Sequence, residues 1–409
     1  MSSSGGIGNL SHIDRAGPEE VERQEESRSQ ETVPAVTTSG ADHDEKALQG
    51  LESVYPEAHG KAEGNNGTEP AISRVPQEIF NEIVRNAGPE MHKDLRRTNY
   101  RFRNAANANV EKVTLNSPEG SNGVSAIKQA ASAFRSAKDL TLYGKKFTNE
   151  HAKELASFKA AQSVTLHNTN GLTGGAFTAL PRDLRRLSLY QSFKTVQGVG
   201  KVPQGPDVKD EDLPNLPPNL KTFTSFDTGI TDAGLKDVPR GVTSLGLITA
   251  QLTQTGITDA GIKDLPPNLK RLCIGSPAIT DAGVKFLPKS IERLDLLSVL
   301  VTGAAIADIP ESVHTLGLPF SFEGMNEGLE KLSKNVHTLT LSGEAVGDAS
   351  IAALPKTVRT IHLVGDVSAE RLQQLRDANP DRKISGEPLK NYYQELFRTM
   401  RGEGDQGFV

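Results

Sequence analysis

The feature that most constrains this chain is a near-verbatim repeat. The segments ITDAGLKDVP, ITDAGIKDLPPNL and ITDAGVKFLP begin at Ile230, Ile257 and Ile279, and each is followed by an apolar pattern L-x-x-L-x-L. Leu269, Leu272 and Ile274 form one such triplet, and Ile291, Leu294 and Leu296 form the next. Sliding the pattern along the chain adds triplets opening at Val110, Ala137, Ala161, Leu184, Leu220, Val242, Val313, Val336 and Val358, eleven in all. Start-to-start spacings are 27, 24, 23, 36, 22, 27, 22, 22, 23 and 22 residues. A unit that short has no core of its own, so it must bury its apolar side against its neighbours in a stacked array.

Positions 4 and 6 of each triplet alternate with polar neighbours, as Leu339 does between Thr338 and Thr340, which is the period of a short half-buried strand. Thr231-Asp232, repeated at Thr258 and Thr280, offers N-cap oxygens to a short helix whose Leu235, Ile262 or Val284 returns to the core. Pro239, Pro266, Pro288, Pro310 and Pro355 stop that helix before the next strand. With spacings mostly inside about 20–29 residues, the pattern predicts an α/β solenoid over residues 110–384, a leucine-rich-repeat horseshoe with parallel strands on the concave side. Two departures stand out. The positions where such repeats commonly carry Asn or Cys hold Thr228, Ala250, Pro277 and Val299, so no side-chain ladder is expected between turns. The spacing of 36 implies an inserted Gly/Pro-rich loop at about 191–207.

Composition sets the remaining material apart. Residues 1–70 carry 5 basic and 14 acidic side chains, a balance of -9, and only nine Leu, Ile, Val or Phe. That apolar surface is too small to offset chain entropy, so a disordered leader is expected there. The other 41 basic and 37 acidic residues leave +4, with no basic block interleaved with aromatics, which argues against a nucleic-acid partner. No stretch reaches the ~18 apolar residues of a membrane span, and none forms a signal-peptide core. The single cysteine, Cys273, rules out an intramolecular disulfide. A monomer is expected.

Between leader and first repeat, residues 71–109 read as two helices. Pro76 suits a first helical turn, Ile79 and Ile83 share a face beside Phe80 and Val84, and Gly88-Pro89 breaks the run. Leu95, Asn99 and Phe102 then line a stripe among Arg96, Arg97, Arg101 and Arg103. Physically this pair can simply cap the solenoid's open end, leaving a non-catalytic scaffold that sequesters a target.

The run Val75-Pro76-x-Glu78-Ile79-x-x-x-Ile83, followed by Asp94-Leu95-x-x-x-Asn99-x-x-Phe102, also resembles the F-box. That resemblance implies docking on a host Skp-type adaptor, and through it a cullin ubiquitin ligase, by Val75, Pro76, Ile79, Phe80, Ile83, Leu95, Asn99 and Phe102. An F-box followed by ITDAG-type repeats, behind a Ser-rich leader, is similar to the GALA-like F-box type III effectors of plant-pathogenic bacteria. The likeness implies delivery into a host cell, cytoplasmic or nuclear residence there, and recruitment of a target for ubiquitination.

No catalytic constellation, cofactor or metal site is read from the residues. His314 and His337 recur in adjacent repeats, roughly 5 Å apart if stacked, without a third ligand. The Asp232, Asp259 and Asp281 column is expected to cap helices. Cys273, between two inward residues, should face the concave surface. After the last repeat, residues 385–409 read as a helical cap and tail, with Tyr392, Tyr393, Leu396 and Phe397 as its apolar face. Position 7 of each triplet should also point to the concave side, and there the middle repeats carry Tyr143, His167, Tyr190, Phe226 and Ile248, with Leu297 further on. An aromatic and apolar column on a solvated face marks a candidate target-binding surface.

Overall fold

The computed structural model describes residues 36–37, 107 and 109–400, except 117–122, 145, 168, 170, 191, 197–199, 205–207, 227–228, 249–255, 298, 319–322 and 345. The strands are β1 (Val36–Thr37), β2 (Lys112–Asn116), β3 (Asp139–Tyr143), β4 (Ser163–His167), β5 (Arg186–Tyr190), β6 (Ser192–Val196), β7 (Gly200–Gln204), β8 (Thr222–Phe226), β9 (Ser244–Ile248), β10 (Arg271–Gly275), β11 (Arg293–Leu297), β12 (Thr315–Leu318), β13 (Thr338–Ser342), β14 (Thr360–Val364) and β15 (Lys383–Glu387). All but β6 and β7 form one 13-stranded sheet in chain order. β1 joins antiparallel to β2, and from β2 onward every pairing is parallel. This is a leucine-rich-repeat solenoid.

Each of the eleven apolar triplets opens two residues before a strand, and registers align position 4 with position 4, as Leu272 pairs with Leu245 on one side and Leu294 on the other. Positions 4 and 6 fill the core from end to end: Leu140, Leu142, Leu187, Leu189, Leu339 and Leu341 are all fully buried. A twelfth parallel strand, β15, continues the array with Ile384 opposite Ile361. The triplet pattern overlooks it because positions 1 and 6 there are Asp381 and Gly386. The insert after β5 holds an antiparallel hairpin, β6 with β7, where the Gly/Pro content suggested only a loop.

The helix side contains the ladder that the missing Asn column seemed to exclude. Asp232 does not cap its own helix: its carboxylate accepts from the Thr258 backbone N–H at 2.7 Å and hydroxyl at 2.6 Å, in the following repeat. The same pair of bonds joins Asp210 to Thr231, Asp259 to Thr280 and Asp281 to Thr302. Thr231, Thr280 and Thr302 in turn cap their own helices by accepting from the N–H two residues on, as Thr280 does from Ala282 at 3.2 Å, and Thr258 accepts from Ala260 in the same way. The motif can therefore be read letter by letter. Its Ile is core, with Ile230, Ile257 and Ile279 no more than 2% exposed. Its Thr caps, and its Asp reaches forward. Its Gly leaves room for the preceding repeat's Asp, because a Cβ on Gly234, Gly261 or Gly283 would overlap the carboxylate of Asp210, Asp232 or Asp259.

The ladder stops at Thr302, whose next residue is Gly303 instead of Asp, and there the backbone of Gly303 packs directly against Gly324 and Gly328. At the other end Asn149 plays the aspartate's part toward Thr173, accepting from its N–H at 3.0 Å and donating to its hydroxyl at 2.8 Å. Before the prolines the chain is extended, with ψ of 148° at Leu265, 132° at Ile309 and 144° at Leu354. A proline's ring imposes that conformation on the residue before it.

The last helix, Leu389–Met400, corrects a second expectation. It does not cap the end of the array. Tyr392, Leu396 and Met400, all fully buried, pack on Cys273, Leu297 and Val364, with Ile248 at the edge of the cluster. These partners lie on β9, β10, β11 and β14, so the helix turns back across the strand face. Among the described residues, no helix is long and apolar enough to cross a membrane.

Candidate functional site

The alternation of the strands builds the strand face from triplet positions 3, 5 and 7. Position 5 is its floor: Thr141, Thr165, Ser188, Thr224, Gly246, Cys273, Asp295, Gly317, Thr340 and His362 in successive repeats. The floor divides into two stretches of different character.

Toward the first repeats the surface is lined by a stack of rings. Parallel in-register pairing sets Tyr143 opposite His167 and His167 opposite Tyr190. Their rings lie face to face, Tyr143 on His167 with centroids 4.3 Å apart and planes within 5°, His167 on Tyr190 at 4.4 Å and 7°. The separation follows the spacing of the strands, about 4.8 Å, so the backbone pre-pays the ordering of the three rings. Tyr143 remains 36% exposed, and His167 and Tyr190 are half-buried. At the other end of the same strands, Arg186 donates to Asp139 at 2.9 Å across the face.

Further along, the column goes under cover. Ile248 is half-buried at the margin of the C-terminal helix, and Leu297, 2% exposed, lies beneath it. Leu297 therefore faces the chain's own helix and is withdrawn from the open surface that the sequence suggested for it. Phe226 ends β8 opposite Ile248 in the register. Val75, Pro76, Ile79, Phe80, Ile83, Leu95, Asn99 and Phe102 lie outside the described residues.

The covered stretch also brings Tyr392 and Cys273 together with Arg293, Asp295 and His362, three residues that the sequence pattern did not single out. Tyr392 donates its hydroxyl proton to Asp295 at 2.8 Å, and Arg293 donates to the other carboxylate oxygen at 2.9 Å. Asp295 is 1% exposed. Burial and the Asp295 charge push the Tyr392 hydroxyl well above the usual phenol range, which keeps it a proton donor. Burial, with the Asp295 charge second, likewise raises the Cys273 thiol, so this cysteine is a neutral apolar filler and not a nucleophile. On β14 His362 pairs through Nδ1 with the Ser385 hydroxyl at 2.7 Å, and burial, with Lys383 and Arg293 nearby, lowers its pKa to about 4. The available signal was Asp295 itself, a carboxylate centred in Arg-Leu-Asp-Leu-Leu where other repeats put Thr, Ser, Gly, Cys or His.

No group of three His, Cys, Asp or Glu side chains that could hold a metal ion occurs among the described residues. No family model matches the chain, and no curated protein does. Among solved structures it is similar to CroV588, described as a novel circular LRR protein, at 13% identity and a TM-score of 0.34. That likeness covers 62% of this chain, which spans 37% of the other.

Proposed function

We propose that the protein is a substrate receptor: the open strand face binds a target protein, and the F-box-like segment at 71–109 docks on a host Skp-type adaptor, so that a cullin ligase ubiquitinates the target. The chain itself makes and breaks no bond. The observation that carries the binding half is the ring stack Tyr143–His167–Tyr190, held face to face by the sheet on an accessible surface. Aromatic side chains fixed in this way lose little entropy on docking and carry much of the energy of protein interfaces. The adaptor half rests on the F-box resemblance. Reaching a host cell by type III secretion belongs to the same reading.

Two variants test the halves separately. With Val75→Ala and Pro76→Ala together, co-precipitation of adaptor from host lysate is lost at unchanged melting temperature, because apolar anchors of this kind typically contribute more than ~1 kcal/mol each. With Tyr143→Ser and Tyr190→Ser together, target capture is lost and adaptor binding persists. Retention of adaptor by the first variant, in folded protein, would remove the ubiquitin-ligase reading and leave a scaffold that sequesters its target.

A further inference from the structure

The C-terminal helix occupies the strand face as a bound partner would. Its buried residues Tyr392, Leu396 and Met400 are spaced i, i+4, i+8 along one stripe. Four residues of helix advance about 6 Å, close to the roughly 4.8 Å between strands, so each anchor meets roughly the next strand along. Tyr392 reaches Asp295 on β11, and Ser244 on β9 donates to the Met400 carbonyl at 3.3 Å. Small residues line the floor beneath it. A Cβ on Gly317 would come within 2.6 Å of the Tyr392 hydroxyl, and one on Gly246 would touch the Met400 methyl at 3.6 Å.

The fit is nonetheless incomplete: two of the four buried, unpartnered side-chain atoms among the described residues lie at the helix seat. The Thr224 hydroxyl, on the floor beside Gly246, is buried without a hydrogen-bond partner. At the hinge one carboxylate oxygen of Glu387 is also buried and unpartnered. Burial and the like charge of Glu395 on the helix raise its pKa. A buried unmet polar group is costly, and both of these lie where the helix seats. One residue, Pro388, links the helix to β15.

We propose that the groove from β9 to β12 is a docking site for an amphipathic helix, that the C-terminal helix is its removable occupant, and that a target helix presenting a tyrosine followed by aliphatic residues four and eight positions on displaces it. This deepens the substrate-receptor reading, on which it rests: the ring stack is the open part of the face, and the helix gates the rest. Asp295 and Arg293 select the tyrosine hydroxyl, and Cys273 with Leu297 forms the apolar floor for the aliphatic anchors.

Cys273, the single thiol of the chain and fully buried beneath the helix, reports the opening directly. In the full-length protein, maleimide labelling of Cys273 should proceed by local opening, with a rate that rises much less steeply with urea than global unfolding does. Tyr392→Phe should speed it at least tenfold while the shallow urea dependence of the labelling rate persists. In the full-length variant Leu396→Glu with Met400→Glu, the thiol should label rapidly, and a synthetic peptide spanning residues 386–402 added in trans should protect it again. Failure of the peptide to protect a folded variant overturns the proposal. If that variant does not fold, the wild-type chain decides: labelling whose urea dependence equals that of global unfolding shows a permanent core helix. Neither readout involves the target, so loss of target capture through the ring stack remains a separate result.

Discussion

Gly283→Ala should change the sign of its effect when Asp259 is removed. In the native chain Gly283 sits inside the short helix Asp281–Val284, where alanine would ordinarily be favoured over glycine by about 1 kcal/mol. The added Cβ, however, would overlap the Asp259 carboxylate. That carboxylate is fixed by its bonds to the Thr280 N–H and hydroxyl, at 2.8 and 2.6 Å. Moving it aside breaks both, so Gly283→Ala alone should cost about 2–3 kcal/mol, the value of a charge-assisted hydrogen bond with the strain of overpacking. Asp259→Ala alone should cost about the same. In the double variant the nearest obstacle left is the residue 259 Cα at 3.3 Å, a tight but tolerable contact. There the glycine-to-alanine step should be neutral or stabilising by up to about 1 kcal/mol, a coupling of roughly 2–4 kcal/mol. Urea unfolding of the four proteins, followed by circular dichroism, measures it. A Gly283→Ala effect within about 0.5 kcal/mol in both backgrounds would refute the inter-repeat ladder as the reason for the motif's glycine.

Lowering the pH should destabilise the fold through His362. Its folded pKa of about 4 lies below the ordinary 6.5, so between these values the unfolded chain takes up a proton that the folded chain refuses. The stabilisation is complete above about pH 6.5 and is lost as pH falls toward 4, by at most about 3 kcal/mol. Melting temperature should fall across that window and flatten in His362→Gln; equal pH dependence in both proteins would contradict the assignment. Residues 1–70 fused to a reporter should support its type III delivery, and a fusion retained in the bacterium would count against the secreted-effector reading.

The eleven strands were legible because their apolar residues are inward-facing and periodic, from Val113 and Leu115 to Ile361 and Leu363. Periodicity reports what faces the core, and so it missed two kinds of information. The bonds from Asp232 to Thr258 and its counterparts link residues 21 or 26 apart, a relation that emerges only when the repeats are stacked. The helix over the strand face was recognisable as amphipathic, yet amphipathicity does not say which apolar surface it meets. The end of the array was the default expectation, and the trough of Gly246, Cys273 and Gly317 was the better match. Tyr143, His167 and Tyr190 could be aligned from spacing alone because a parallel register preserves position number from strand to strand.

The account stands or falls on which face of the solenoid meets the target. Photo-crosslinking places it directly, with a benzophenone side chain introduced singly at Tyr143, at Tyr190 and, as control, at Phe286. Phe286 is 47% exposed and follows the Asp281–Val284 helix on the opposite side. The account predicts that in host lysate positions 143 and 190 crosslink to the same protein and position 286 does not. Crosslinking from position 286 with none from positions 143 and 190 would contradict it.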